Sequence, residues 1–90
     1  MPNAHSKADW DAAKKKHPQL ADGMQHTFDQ IAKGKTPQER DQNAAKSFVH
    51  NMQKMVEAGA GTQQLKAAVL VTLDHEAVIQ DAIDNGVPTA

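Results

Sequence analysis

The sequence predicts an all-α fold: a small antiparallel bundle of three main helices, at about 18–33, 37–58 and 62–85, plus a short N-terminal helix at about 6–16. Three observations predict it. Apolar residues recur at three- and four-residue spacing along most of the chain. The periodic segments are separated by glycine and proline at positions that suit helix ends. No segment alternates at period two; even the β-branched run AAVLVTL (67–73) does not, and an acidic stretch continues it at helical period. The simple way to bury three stripes is to pack them antiparallel in one domain, residues 1–90, with frayed ends at 1–5 and 87–90.

Ser6 and Asp9 resemble a loose cap opening the first helix, which offers only Trp10, Ala13 and His17 for burial. Pro18 disfavours helical backbone at His17, so a break or kink is expected there. Pro18 also suits the first turn of the next helix, whose stripe is Leu20, Met24, Phe28 and Ile31. An interior Gly23 weakens that helix by roughly 1 kcal/mol relative to Ala. Gly34 suits the left-handed position that ends it.

In GKTPQER (34–40), Thr36 is the N-cap, Pro37 the first helical residue and Glu39 the third, a capping box with proline at N1. The stripe that follows is Ala44, Ala45, Phe48, Val49, Met52, Met55 and Val56, with Arg40, Lys46, Gln53 and Glu57 turned to water. Gly59 in AGAG ends this helix. Thr62 caps the last helix, which carries Leu65, Ala68, Val69, Thr72, Ile79 and Ile83 on one face, widened by Val71, Val78 and Ala82. Gly86 and Pro88 stop it.

The bulk composition removes several functions. The 90-residue chain has no cysteine, which excludes disulfides, thiolate metal sites and a cysteine nucleophile. A net charge of –1 argues against a large single-sign field for nucleic acid or an acidic membrane. The N-terminal segment lacks the apolar stretch of a secretory signal, and the run 67–73 is too short to span a bilayer. A soluble cytoplasmic protein is the expectation. With one Trp, two Phe and no Tyr, the core must rely on aliphatic residues and methionine, which specify shape loosely and leave room for a partner to add order.

The most conspicuous polar cluster is Asp74, His75 and Glu76, inside the apolar last helix. At about 100° per residue the three side chains point apart, so they do not form a triad. His75 falls on the apolar face, where it either bonds a neighbour or forms a pH-sensitive contact. His26 has Asp22 and Asp29 at helical spacing and could share an exposed face with them. His50 reads as surface. No two histidines are four residues apart, the spacing that would signal zinc on a helix. No metal and no cofactor is therefore expected. Ser47 falls on the polar side, and neither it nor Ser6 has a general base at a recognisable spacing. AGAG lacks the lysine of a phosphate loop.

Lys14, Lys15 and Lys16 invite a nucleic-acid reading, but cations at a helix C-terminus also complement the dipole. No aromatic is interleaved with them as a stacking platform. The last helix is more informative, because Leu70, Leu73 and Ala77 form a second apolar strip opposite the first. Trp10 and Ala13 either cover that strip from within the chain or leave it to a partner. The expected function is a non-enzymatic helical interaction module that self-associates, as a homodimer, and binds a larger protein. Its expected binding residues are Leu70, Leu73, Ala77 and Trp10. Inhibitor, immunity or antitoxin-like partner, chaperone and assembly subunit all fit this reading. A nucleic-acid accessory protein using Lys14–Lys16 is the alternative.

Overall fold

The structure is a computed structural model that describes residues 7–87. Five helices make up the described chain: α1 (Lys7–Lys16), α2 (Ala21–Ala32), α3 (Pro37–Glu57), α4 (Thr62–Asp74) and α5 (Glu76–Asn85). No strand occurs among the described residues, so the all-α expectation holds. The expected cap at Ser6 and the frayed ends at 1–5 and 88–90 lie outside the described residues. Val87, expected to fray, instead packs against the core.

Local chemistry explains most boundaries. His17 is non-helical (φ –128°, ψ 67°) and Pro18–Leu20 form a 3-10 turn, so α2 starts at Ala21 rather than Pro18. Thr36 Oγ1 accepts from the Glu39 N–H at 3.1 Å, and Pro37 opens α3 as expected. The Glu39 carboxylate reaches one residue beyond the usual box, to the Lys35 N–H at 2.8 Å. α3 ends in a full Schellman motif: Ala60 N–H to Met55 O, Gly59 N–H to Val56 O, and Gly59 at φ +90°. The N-cap of α4 is Gly61, one residue before the expected Thr62, and its N–H donates to Gln64 Oε1 at 2.7 Å. Gly86, at φ +93°, ends α5.

One glycine expectation needs correction and another gains a reason. Gly34 is not left-handed; it is required because a Cβ there would lie 2.8 Å from the Arg40 backbone nitrogen. Gly23 is interior to α2, and its bare Cα lets α2 approach Asn51 of α3.

The expected single helix 62–85 is broken at His75, whose backbone (φ –111°, ψ 19°) leaves the helical region. Its ring Nδ1 pairs with Val71 O at 2.9 Å, a carbonyl that its own N–H also reaches at 3.2 Å. Side chain and backbone thus share one acceptor, and the chain turns there into α5.

α2 and α3 pack most extensively, and α1 and α5 complete the bundle. Trp10, Phe28, Ile31, Ala44, Val78, Ala82 and Ile83 form the buried core. Trp10 stacks on Phe28 with their planes inclined by 33°. α3 does not bury the stripe its periodicity suggests: Ala44 and Ser47 are buried, while Ala45, Val49 and Val56 are exposed. The face of α3 turned to α2 instead carries Ser47, set against Thr27 and His26, and Asn51, set against Gly23. Arg40, expected in water, is half-buried and caps α5: Nε donates to Ile83 O at 2.6 Å and Nη2 to Asp84 O at 3.3 Å. α4 meets the rest of the fold mainly through α5 and has no buried residue.

Candidate functional site

Because α4 stands away from α2 and α3, an open apolar cleft of about 520 Å³ lies between them. Met24 of α2 and Phe48, Met52 and Met55 of α3 form one wall. Ala68, Val69 and Thr72 of α4 face them, and Trp10 and Ile79 contribute from α1 and α5. This volume is in the usual range for small-molecule sites, roughly 300–1,000 Å³. Methionines suit such a wall, since the unbranched thioether adapts to irregular shapes. Trp10 is 5% exposed, yet its buried Nε1–H has no hydrogen-bond partner among the described residues. An unpaired buried donor costs about 1–3 kcal/mol. His75 lines the same cleft.

Compared with known proteins, the chain matches no family model, no curated protein and no solved structure.

The residues singled out from the sequence are dispersed. Leu70 and Leu73 are exposed (61% and 58%), and Ala77, beyond the break, is exposed on α5. Trp10 does not cover this strip; it sits in the core against Phe28, away from the protein surface. His75 is half-buried, bonded to Val71 O and set edge-on to the His17 ring, with centroids 5.5 Å apart. Asp74 and Glu76 are both exposed, and no three-residue site forms around them. His17 Nε2, like Trp10 Nε1, is buried without a partner among the described residues.

His26 does not join Asp22 and Asp29 on an exposed face. Its Nδ1 lies 2.7 Å from Ser47 Oγ, its ring stacks on His50 at 4.3 Å, and Asp29 accepts from Gln25 instead. Ser47, expected on the polar side, is 1% exposed. Its hydroxyl lies 3.0 Å from Thr27 Oγ1, which also meets Asn51 Nδ2 and Gly23 O. The Ser47 hydroxyl is therefore buried in the α2–α3 seam, while the half-buried His26 ring reaches the cleft. The small and polar residues Ala44, Ser47 and Asn51, at spacings of three and four, were the sequence signal for this seam.

Lys14 is held by Gln25 Oε1 at 2.6 Å and Asp11 at 3.3 Å, while Lys15 and Lys16 are exposed. The described residues contain no group of three or more His, Cys, Asp or Glu placed to hold a metal. No helix among them is long and apolar enough to cross a membrane.

Proposed function

We propose that the chain is a non-enzymatic cytoplasmic module that acts by binding protein, with a second copy of itself as first partner, through the exposed apolar residues of α4 and the start of α5. The observation that carries this reading is a helix with no buried residue that nonetheless holds Val69, Leu70 and Leu73, 47%, 61% and 58% exposed. A helix of this length gains most of its stability from burying an apolar face, and this one half-buries Leu65, Ala68 and Val71 while leaving Val69, Leu70 and Leu73 largely in water. The apolar surface continues across to α3: Met52, Leu65, Val69 and Leu70 line a shallow groove, and Val49 and Val56 are exposed. Each such side chain is worth roughly 1.5–3 kcal/mol when fully buried. Two-fold dimers are the commonest closed assemblies, and a self-complementary apolar strip suits one. Leu70, Leu73 and Ala77 are the proposed contact residues.

Sedimentation velocity over a range of concentrations tests the reading. A dimer is expected, with Leu70→Asp and Leu73→Asp shifting it to monomer at unchanged helicity. A monomer at the highest concentration removes the self-association claim. Comparing proteins captured by the parent and by Leu73→Asp then tests the wider one; identical sets would refute a binding role for this face. The partner's identity decides among inhibitor, immunity, chaperone and assembly roles.

The edge-on contact of His75 with His17 supports a second property. Charge gained by either ring alters packing where α4 turns into α5, so His75 is the proposed pH-sensitive contact. A His75→Phe variant whose association follows the parent's pH profile would disprove it.

A further inference from the structure

We propose that α4 is a hinged segment: as the turn at His75 straightens, α4 closes onto α2 and α3, and closing completes the association strip. The link to association rests on Leu70, Leu73 and Ala77 being the contact residues; the closure does not.

The two halves of the broken helix carry one pattern. At about 100° per residue, a continuous helix over 62–85 sets Leu65, Ala68, Thr72, Ile79 and Ile83 within about 60° of one another. In the bent form α4 half-buries the first three, while Ile79 packs against the core and Ile83 lies in it. Straightening therefore turns the inner face of α4 to the side on which α5 meets the core. That side is continued by Phe48, Met52 and Met55, the α3 wall of the cleft. The thioethers can adapt to the face that arrives.

Chain connectivity permits the closed form. Arg40, near the start of α3, holds the carbonyls of Ile83 and Asp84 at the end of α5, so the two helices lie side by side and antiparallel. At a rise of about 1.5 Å per residue, a straight α4 begins about 6 Å past the end of α3 and places Ala68 level with Met55. Residues 58–61 reach up to about 17 Å, enough for that offset and an interhelical distance of about 9 Å. Straightening also serves the backbone. His75 gives α5 no side-chain cap, and the first N–H groups of a helix have no partner within it. A continuous ladder offers Glu76, Ala77 and Val78 the carbonyls of Thr72, Leu73 and Asp74.

Closure also changes the outer surface. In the bent form Leu73 lines the cleft and Ala77 lies beyond the turn. In the straight helix Leu70, Leu73 and Ala77 fall within about 60° of one another, on the side away from the α3 wall. A second copy that binds this strip thus favours the closed form.

The experiment compares His75→Ala with His75→Gly in the full chain. Both remove the imidazole and its contacts, and they differ in helix propensity, so the pair isolates the hinge. The closed-to-open ratio is expected to be about fivefold higher in His75→Ala. Hydrogen exchange at the Ala77 and Val78 amides reads that ratio, and is expected to be slower in the alanine variant. A nuclear Overhauser contact between the Met55 ε-methyl and the Ala68 methyl, stronger in the same variant, shows that α4 has reached the wall. Sedimentation is expected to show tighter self-association for His75→Ala. Equal exchange in the two variants, or slower exchange without the methyl contact, would overturn the closure. Equal association at different exchange rates would overturn its link to the strip. Monomers throughout would instead remove the association reading, leaving the closure to stand or fall on exchange and the methyl contact.

Discussion

Asn51 of α3 donates from Nδ2 to Gly23 O of α2 at 2.9 Å, and a Cβ on Gly23 would lie 3.2 Å from that same nitrogen. One contact thus explains a glycine inside a helix. Helix propensity alone says that Gly23→Ala gains about 1 kcal/mol. Here the new methyl presses on an amide already held by Gly23 O and Thr27 Oγ1. Disturbing those bonds costs more than the propensity returns, so Gly23→Ala is expected to lower stability by about 1 kcal/mol. In an Asn51→Ala background the sign reverses, and the same substitution stabilises. Urea denaturation of the four proteins in a double-mutant cycle measures the coupling; simple additivity would contradict the steric account.

Arg40 joins the start of α3 to the end of α5 through the carbonyls of Ile83 and Asp84. A half-buried guanidinium at a helix C-terminus satisfies orphan carbonyls and opposes the helix dipole. Arg40→Ala is expected to lose about 1.5–3 kcal/mol, the range for hydrogen bonds to a charged group. Arg40→Lys keeps the charge but not the planar fork, and should recover less than half of that loss. Chemical denaturation distinguishes the pair, and full recovery by lysine would mean that charge alone matters.

How much of this was legible follows from how local each determinant is. Thr36, Pro37, Gly59 and Gly86 set helix ends through bonds to residues a few positions away, so the sequence carried them. Ser47, Val49 and Val56 were misplaced because periodicity ranks faces by hydrophobicity. The α2–α3 seam instead selects for small size, at Gly23, Ala44 and Ser47. Arg40 reads as water-facing in the sequence because its acceptors on α5, Ile83 O and Asp84 O, lie over forty residues away. The break at His75 is hidden in the sequence, since the apolar period runs through it and the ring's contact with Val71 O leaves no mark on that period. The exposed strip at Leu70 and Leu73 was visible as a pattern; the cleft behind it was not, because it depends on where α4 sits.

Gly34 and Gly59 are both required, for different reasons, and substitution should separate them. A Cβ at Gly34 would lie 2.8 and 2.9 Å from backbone atoms of Arg40, which cannot rotate aside. Gly59 has open space around it but φ +90°. Gly59→Ala is therefore expected to cost about 1 kcal/mol in backbone strain. Gly34→Ala should cost about 2 kcal/mol or more, because the entry to α3 must shift. Thermal denaturation ranks them, and an equal cost would rule out the close approach as the reason for Gly34.

Asp11 accepts from Lys7 at 2.8 Å and pairs with Lys14 at 3.3 Å. The Lys7 hydrogen bond, and after it Lys14, holds its carboxyl below the ordinary aspartate range. A carboxyl lowered in the folded state stabilises it above the unfolded-state pKa, and that contribution disappears as pH falls through the lowered folded value. The group is exposed, so screening keeps the effect on stability small. Carboxyl-carbon NMR titration is the suitable measurement. Lys7→Ala should raise the Asp11 midpoint toward normal, and by more than Lys14→Ala does; no movement in either variant would exclude these pairs as the cause.

Ser47 tests whether size or hydrogen bonding dominates the seam. Its hydroxyl meets His26 Nδ1 and Thr27 Oγ1. Thr27 keeps Gly23 O and Asn51 Nδ2 when that hydroxyl is removed, and the His26 ring, only half-buried, can turn to water. Ser47→Ala is therefore expected to cost only about 1 kcal/mol. Ser47→Val adds volume where two helices close on small residues, and overpacking typically costs about 1–3 kcal/mol in addition to the lost bonds. The valine variant should thus be the less stable, although valine is the more hydrophobic residue. If it proved the more stable in urea denaturation, the seam would tolerate larger residues, and the face α3 turns to α2 would be set by polar bonding rather than by close approach.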